Sequence, residues 1–573
     1  MTKANQHRTF ETRPTQILGH RLHPMKTFAL LALILLAVAV DSPRTSAQSC
    51  TTATCTAASA SESDFLAALP SSKNTNATVV VNIPAGTSSW TTPFMYNVPS
   101  GVTNLTIQGA TTVNCTGTAG TSSYGCTASD ATVIADSIPG NTWFQLTTGS
   151  PSTFFRFTGI TMQGGSGAGT KYGALGIYGS SHNVRIDHDH FNIAGYSSSI
   201  VGGWVRFYGP ELGVIDHNVA DQGPNTNSDW NAFQIVTSAA AFEDSIGNGD
   251  GTFQVASQWG TINFVFIENN QINGGYGNDC DAAGLFVMRY NAFYGVTVAE
   301  QTHATKTDAG SLRGCRGFEF YHNYMTAGTI EEDAMTGTKG TTGLIWGNTM
   351  QSGTAYRFWA ASTDRQTNAQ TETNTPAGWG YCGTSVNSNG VGAPWDGNSN
   401  TASGYPCLDG IGRGQTTQAL NGANLPKRLN SATGTIAWPH QYLEPFYLWM
   451  NSVGSAIEVN IRDSSTTQNV DVFADNANFN GTTGTGFGPS ASRPSTCTSG
   501  PGGTYYTSPT GSYGVGYFAT DANGGNGELY VCTSTNTWTG IYQPFTYPHP
   551  LVAGNGTGGN SPPPPQNVTT TVQ

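Results

Sequence analysis

The sequence predicts an all-β chain built as a solenoid, in which short strands stack coil upon coil. Two observations lead to this fold class: the composition of the 573 residues, and a short pattern that returns along the chain. Only 10% of the residues are charged, against ~25% in ordinary globular domains, and 72 are glycine. Such a surface disfavours helical bundles, whose exposed faces draw on Glu, Lys and Arg. Apolar residues at 37%, together with the glycines, exclude a disordered chain.

The repeated pattern is an apolar alternation that runs into Asn or Asp. Its six ends are Asp189, Asn218, Asn270, Asn291, Asn323 and Asn348. They are separated by 29, 52, 21, 32 and 25 residues. Intervals of about 20–30 residues, with one near double, are typical of a solenoid with inserted loops.

Each repeat reads as a short strand, a tight turn and a second short strand, and none can bury its apolar side alone. The Ile, Met and Phe residues before each turn are expected to point inward at period two. We expect the Asn side chains to hydrogen-bond to their neighbours above and below. We also expect these Asn residues to take the left-handed backbone conformation of the turn, which Asn tolerates.

One segment carries a family resemblance. Gly173-Ala-Leu-Gly-Ile-Tyr-Gly-Ser-Ser-His-Asn-Val-Arg-Ile-Asp-His188 resembles the strand, turn and strand of the pectin-lyase-like superfamily. Val265-Phe-Ile-Glu-Asn-Asn270 and Gly317-Phe-Glu-Phe-Tyr-His-Asn323 are similar to secreted bacterial β-helix proteins often left without an assigned function. The resemblance covers roughly residues 78–480, and Tyr547-Pro-His-Pro-Leu551 is also typical. It implies a right-handed parallel β-helix of about ten coils with an N-terminal cap and a disulfide-pinned, β-rich C-terminal extension.

The first 47 residues are expected to be a secretory signal peptide. The pattern consists of a charged start at Met25-Lys26, an apolar run over 28–40 and the small residues Thr45-Ser46-Ala47. For residues 1–24, a mis-called translation start is the alternative. The apolar run is too short to span a bilayer. Without the leader's six Lys/Arg and two Asp/Glu the net charge goes from −12 to −16, which argues against nucleic-acid binding. We therefore expect a secreted monomer with no membrane span after cleavage.

The remaining chain is divided by its composition and by the extent of the repeat. An open solenoid end would expose unpaired strand edges, so residues 48–77 are expected to form the N-terminal cap. The β-helix is expected over 78–480, with a long loop excursion over 365–440 that lacks the repeat. The β-rich extension follows over 481–553, and 554–573 form a Gly/Pro linker and tail.

Ten cysteines in an exported chain predict five disulfides between sequence neighbours. The pairs are Cys50–Cys55, Cys115–Cys126, Cys280–Cys315, Cys382–Cys407 and Cys497–Cys532. A zinc site is disfavoured because no Cys-x-x-Cys or Cys-x-x-His cluster occurs.

The family resemblance implies that a polysaccharide binds along an outward sheet, on the strand that precedes each repeat. The catalytic candidates on and beside those strands are His303, Lys306, Tyr208 and Asp281. The substrate-binding candidates are Arg206, Trp230, Arg313 and Lys339. Cations, a carboxylate, a histidine and aromatic rings together suit a sugar ligand.

A polysaccharide lyase is the first hypothesis for the reaction. In β-elimination Arg206 or Lys339 would neutralise a uronate, His303 or Lys306 would take the C5 proton, and Tyr208 would donate to the leaving oxygen. A glycoside hydrolase would use two carboxylates, with Asp279 or Asp281 as one of them. The third hypothesis is a non-catalytic surface or matrix protein that binds glycans. The acidic calcium ligands and Arg-x-Pro-x-x-Arg pattern of pectate lyases, and the polygalacturonase patterns, are absent, so neither mechanism carries over residue by residue.

A second row of charged residues lies two places before the Asn positions. Asp187, Asp216 and Glu268 would meet on successive coils and are weak candidates for Ca²⁺ ligands. Salt bridging is the favoured interpretation of this row. No cofactor is expected, and Ca²⁺ stays an open alternative that no motif supports.

Overall fold

The computed structural model describes residues 50–138, 143–165, 171–192, 200–201, 203–222, 231–236, 256–281, 283–303, 314–327, 334–351, 357–361, 410–416, 441–451, 458–461, 466–502 and 511–553. The chain divides into two compact units, 1–46 and 47–573, and everything described lies in the second. The expected signal peptide therefore lies outside the described residues. No helix within the described ranges is long and apolar enough to cross a membrane.

Three long sheets of parallel strands form the body of the protein, and the chain passes from one sheet to the next as it coils. Sheet A has 12 strands: Thr54–Thr56, Thr78–Asn82, Asn104–Gln108, Phe154–Thr158, Asn183–Asp187, Gly213–Asp216, Val265–Glu268, Leu285–Arg289, Gly317–Tyr321, Gly343–Trp346, Phe446–Trp449 and Val472–Phe473. Sheet B has 9 strands: Gly86–Trp90, Thr132–Asp136, Thr161–Gln163, His190–Asn192, Val219–Asp221, Gln271–Asn273, Ala292–Val296, Tyr324–Ala327 and Thr349–Met350. Sheet C has 10 strands: Phe94–Asn97, Phe144–Thr147, Leu175–Tyr178, Val205–Tyr208, Asn231–Val236, Tyr276–Cys280, Val298–Thr302, Ala334–Lys339, Arg357–Ala361 and Glu458–Ile461. This stack confirms the predicted all-β parallel solenoid.

The core lies between the three sheets, and the apolar alternation fills it. The residues before each turn are fully buried, as predicted: Ile186, Ile215, Ile267, Met288, Phe320 and Ile345. Each belongs to one continuous cluster that runs along the solenoid. Stacking therefore buries faces that no single coil could bury.

The predicted Asn ladder is present inside the turns between sheets A and B. Asn270 Oδ1 accepts hydrogen bonds from the backbone N and the Nδ2 of Asn218, both at 3.0 Å, and Asn270 Nδ2 donates to Asn291 Oδ1 at 3.1 Å. The ladder continues through Asn323, Asn348 and Asn451 to Asp475.

The expected left-handed backbone of the ladder Asn residues is wrong. The positive φ falls on the preceding residue, as at His217 (φ 55°), Asn269 (φ 59°) and Tyr290 (φ 57°). The ladder side chain has to point inward along the stack, so the reversal of the chain falls one residue earlier. His188 and His217 at this position are stacked with ring centroids 5.2 Å apart.

Four of the five predicted disulfides are confirmed: Cys50–Cys55, Cys115–Cys126, Cys280–Cys315 and Cys497–Cys532. Cys382 and Cys407 lie outside the described residues, as does the predicted excursion over 365–440 apart from 410–416. Three small ribbons accompany the main sheets. They pair Thr112–Thr116 with Gly125–Ser129, Lys171–Tyr172 with Ile200–Val201, and Arg413–Thr416 with Gln441–Leu443.

A short helix, Glu62–Ala68, covers the first coils of the core. The Ser61 hydroxyl caps it by accepting a hydrogen bond from the Asp64 backbone N–H. Phe65 is fully buried, with its ring centroid 5.3 Å from those of both Trp90 and Phe94.

The C-terminal extension packs on the outer face of sheet A. Its strands are Thr485–Gly488, Gly516–Ala519, Glu528–Ser534 and Thr537–Tyr542, with 3-10 turns at Ser490–Ser492 and Asn523–Gly525 and a final helix at Pro550–Ala553. Trp346 of sheet A lies 5.2 Å from Phe518 between ring centroids, and its Nε1 donates to the Tyr542 hydroxyl at 3.2 Å. The outer face of sheet A is thus part of a second buried apolar cluster.

Candidate functional site

The outer face of sheet C carries two rows of side chains, because every second residue of a strand points away from the core. Strand register aligns the first row, which contains Gly176, Arg206, Gln234, Asp279, Gln301 and Gly337. The second row lies two residues further along each strand and contains Tyr178, Tyr208, Val236, Asp281, His303 and Lys339. The backbone ladder continues past the strand ends: Asp281 N donates to Ile235 O at 3.1 Å, and His303 N donates to Cys280 O at 2.9 Å.

Two carboxylates and a histidine converge in the middle of these rows. Asp279, Asp281 and His303 each present an atom within 4.8 Å of the others, and their exposed fractions are 5, 5 and 7%. His303 Nε2 lies 3.0 Å from Asp279 Oδ1. The Gln234 amide nitrogen donates to Asp279 Oδ2 at 3.1 Å and lies 3.4 Å from Asp281 Oδ2. Three neighbouring coils therefore build one buried polar cluster.

The local sequence explains why these groups meet. In Asp279-Cys280-Asp281 the alternation of the strand puts Cys280 inside and both carboxylates outside. The Cys280–Cys315 disulfide joins this strand end to the chain that follows His303, and Cys315 N donates to His303 O at 2.9 Å. The cross-link restricts the position of the imidazole relative to the two acids.

Aromatic and cationic side chains occupy the coils before the cluster. The Tyr178 and Tyr208 rings lie 4.8 Å apart between centroids, and the Arg206 guanidinium lies 4.6 Å from the Tyr208 ring. By register, Tyr208 is two strand spacings, roughly 10 Å, from Asp281. On the other side, Lys339 ends the next strand, and its backbone N–H donates at 3.0 Å to the hydroxyl of Thr302, the residue before His303.

The structure brings together some of the sequence-predicted residues and separates others. Asp281, His303 and Lys339 are neighbours on the outer face of sheet C. Tyr208 and Arg206 are on the same face, but Tyr208 is three strand spacings from His303. Lys306, Arg313 and Trp230 lie outside the described residues.

Two residues of the site were missed by sequence reasoning. Gln234 lies on Asn231–Val236, a strand hidden inside the 52-residue interval between Asn218 and Asn270. Tyr178 is the last residue of its strand, Leu175–Tyr178, and was not among the predicted candidates. The alternation of Asn231-Ala-Phe-Gln-Ile-Val236 is the signal that would have revealed the first.

The second predicted row is used for ion pairing. Asp187 and Asp216 do stack on adjacent strands with Glu268, as the calcium hypothesis required. However, Arg156 donates to both oxygens of Asp187, at 2.7 and 2.5 Å. Arg185 likewise donates to both oxygens of Asp216, at 3.0 and 2.9 Å. Arg289 donates to Glu268 Oε2 at 2.7 Å, and Glu268 Oε1 accepts from the His549 backbone N–H at 2.7 Å. The weak calcium assignment gives way to a buried ladder of salt bridges.

The pKa values of this ladder follow from its surroundings. Burial pushes the pKa of Asp187 upward, but Arg156, His188 and Arg185 outweigh it and lower that pKa to about 2. Burial dominates at Glu268 and raises its pKa in spite of Arg289.

Within the described part of the chain, Asp279, Asp281 and His303 are the one group of three side chains placed to hold a metal ion. Two carboxylate oxygens and an imidazole nitrogen suit a divalent transition ion, whereas Ca²⁺ takes oxygen ligands. Without a metal the same set is suited to proton transfer: Asp279 fixes the imidazole of His303, and Asp281 is a second acid beside it.

No protein-family model matches the chain, and neither the curated proteins nor the solved structures contain a significant match.

Proposed function

We propose that this protein is a secreted carbohydrate-active enzyme that cleaves a polysaccharide, with Asp279, Asp281 and His303 as its active centre. The observation that carries the proposal is the convergence of three ionisable groups within 4.8 Å at 5 to 7% exposure. Burying such groups together is costly, and sites of this kind are typical of catalysis. Four local disulfides suit the oxidising compartment of an exported protein.

The surroundings of the cluster favour an extended sugar ligand. The two rows of sheet C repeat at every coil, so a linear chain laid along them meets similar positions in succession. The Tyr178 and Tyr208 rings offer faces for pyranose rings, and Arg206 and Lys339 stand on opposite sides of the acids. The parallel β-helix also supports distant membership of the pectin-lyase-like superfamily, which stays a prediction.

β-Elimination on a uronate-containing polysaccharide is the reaction we favour. Lys339 would bind the uronate carboxylate, and His303, oriented by Asp279, would take the C5 proton. The C4–O bond then breaks as the C4–C5 double bond forms. The leaving oxygen would receive its proton through Asp281, the second carboxyl group of the cluster, because Tyr208 lies three strand spacings from His303.

Glycoside hydrolysis is the second candidate, and the proximity of Asp279 to Asp281 favours it. Their carboxylate oxygens lie within 4.8 Å. That separation is closer to the ~5–5.5 Å of retaining glycosidases than to the ~6.5–9.5 Å of inverting ones. In this reaction one carboxyl group would protonate the glycosidic oxygen and the other would attack the sugar.

The test is a screen of residues 48–573 against acidic and neutral polysaccharides, with two readouts. A lyase forms both new reducing ends and the ultraviolet absorbance of unsaturated products, whereas a hydrolase forms reducing ends alone. Asp281→Asn should lower turnover by ~10²-fold or more. Asp521→Asn, in an exposed turn of the C-terminal extension, is the matched control and should keep full activity. Binding of a glycan without cleavage would overturn the enzyme proposal in favour of a glycan-binding surface protein.

A further inference from the structure

A patch of polar side chains interrupts the apolar core behind sheet C. Along the first inward row, the core residues Phe144, Leu175, Val205 and Phe233 are followed by Asn278, Glu300 and Thr336, and Phe358 restores the apolar run. Along the second, Leu146, Ile177, Phe207 and Ile235 are followed by Cys280, Thr302 and Thr338, and then by Ala360. The interior therefore changes character for about three coils and then changes back.

The polar residues of this patch are completely enclosed. Asn278, Glu300, Thr336 and Thr338 are each 0% exposed. Among the described residues, neither amide atom of Asn278 nor the Thr336 hydroxyl has a hydrogen-bond partner. The Thr338 hydroxyl faces the Glu300 carboxylate without completing a normal hydrogen bond, and neither Glu300 oxygen has another partner there. A buried polar group that makes no hydrogen bond destabilises the folded state. Several of them in one place require an occupant that satisfies them together.

The inner rows also lose volume at this point. Ile177, Phe207 and Ile235 are large, whereas Thr338 and Ala360 at equivalent positions are small. Small side chains therefore stand beside the buried polar groups of the patch.

The charge of the patch limits what the occupant can be. Glu300 is its one ionisable group, and burial raises the Glu300 pKa well above its usual range. On the outer face Asp279 raises that pKa further, and Lys339 and the Thr338 hydroxyl lower it by less. A carboxylate buried in this way is ionised only if a cation lies against it.

We propose that Asn278, Glu300, Thr336 and Thr338 bind one monovalent alkali cation inside the solenoid. The amide oxygen, the carboxylate and the two hydroxyls are all hard oxygen ligands, which suit Na⁺ or K⁺. One carboxylate balances one positive charge, whereas a divalent ion would leave a net positive charge in the core. Thr302 is not part of the set, because its hydroxyl already accepts a hydrogen bond from Lys339 N at 3.0 Å.

The first test compares thermal unfolding in NaCl, KCl and choline chloride at equal ionic strength. The wild type should unfold at least ~2 °C higher in one of the alkali salts than in choline, because the ion binds the folded state only. Glu300→Gln keeps the shape of the side chain, removes its charge and should abolish the difference. Glu211→Gln is the matched control: Glu211 is equally buried, but it sits on another coil, accepts a hydrogen bond from Thr148 and should keep the difference.

A second measurement is independent of any variant. Crystals of the wild type grown in RbCl should show one anomalous peak within ligand distance of the Glu300 carboxylate. Equal midpoints in all three salts together with no peak would overturn the proposal. If CaCl₂, added as a fourth salt, raises the unfolding midpoint and neither NaCl nor KCl does, the assignment to a monovalent ion is overturned. None of these outcomes depends on polysaccharide cleavage.

Discussion

The two ends of the Asn ladder carry aspartate in place of asparagine. At inner positions the amide nitrogen donates to a backbone carbonyl, as Asn218 does to Ile186 O at 3.0 Å and Asn323 does to Met288 O at 3.0 Å. At the first position Asp189 Oδ1 accepts from Ile160 N at 2.8 Å, and Oδ2 has no partner among the described residues. Burial raises the pKa of Asp189 well above its usual range. A carboxyl group whose ionisation is opposed by burial thus stands where the ladder calls for an amide.

Asp189→Asn should stabilise the protein by about 1–3 kcal/mol at neutral pH, because an amide supplies a donor there and carries no charge that burial opposes. The folded pKa of Asp189 lies above its unfolded value of 3.8, so the wild type loses stability as pH rises from there toward the folded pKa. The gain measured by chemical denaturation should therefore grow with pH above about 4. Asn323→Asp is the mirror variant and should destabilise. If Asp189→Asn is neutral at every pH, the ladder does not place a donor there.

His190 forms a second pH-sensitive contact, on sheet B. Its Nδ1 lies 2.8 Å from Asp130 and its Nε2 lies 2.9 Å from Asp221. Burial opposes the charged imidazolium, but Asp221 and Asp130 together outweigh it and raise the His190 pKa above 6.5. The charged form therefore links Asp221, on the next strand of sheet B, to Asp130, which precedes the strand Thr132–Asp136.

The contribution of His190 should be complete below pH 6.5 and should fall as pH rises through its folded pKa. His190→Gln, which cannot carry the charge, should cost about 1 kcal/mol near pH 5.5 and less near pH 9. Urea denaturation at the two pH values measures the difference. A cost that is equal at both would mean that the imidazolium charge contributes nothing.

Among the elements, residues 545–552, which we call the C-terminal strap, close the salt-bridge ladder of sheet A. Arg289 donates to Phe545 O at 2.7 Å and to Thr546 O at 2.8 Å, and His549 N donates to Glu268 Oε1 at 2.7 Å. The Tyr547 and Tyr290 rings stack at 3.7 Å between centroids. Arg289 and Glu268 are fully buried, so their hydrogen bonds depend on this segment.

Truncation after Gln543 should destabilise the protein by several kcal/mol, because each lost hydrogen bond to a buried charge is worth about 1.5–3 kcal/mol. Truncation after Ala553 is the matched control: it keeps the strap, removes only the Gly/Pro-rich tail and should unfold like the full chain. Chemical denaturation of both chains gives the comparison. Equal stability of the two truncated chains would show that the strap contributes little.

The sequence predicted these elements where one repeat follows another directly. The ladder from Asn270 to Asn348 was located because in every coil there an Asn at the same position makes the same buried hydrogen bond. Asn231–Val236 was not located, because it lies inside the 52-residue interval between Asn218 and Asn270, where no repeat marks it. The positive φ was predicted one residue too late, because the sequence pattern alone does not say which residue of the turn adopts the left-handed backbone conformation.

For the whole molecule, the outer faces of sheets A and C differ in what covers them, and this decides where a ligand can bind. The C-terminal extension occupies the outer face of sheet A, and the acid and histidine cluster lies on sheet C. Asp281 and His303 could be paired from sequence because their strands are consecutive repeats. The distance from Tyr208 to His303 could not be predicted from the sequence, because the strand Asn231–Val236 lies between them and the repeat did not reveal it. Gln234, which donates to Asp279, was missed for the same reason.

The turnover of His303→Ala on a polysaccharide that the wild type cleaves tests the central claim most directly. With Asp279 fixing its ring at 3.0 Å, His303 is the group we expect to move the proton. The variant should turn over at least ~10²-fold more slowly, with an unchanged unfolding midpoint, and His182→Ala, a histidine in a turn of the same solenoid, should remain fully active. A His303→Ala variant as active as the wild type would contradict the account and place the chemistry elsewhere on the solenoid.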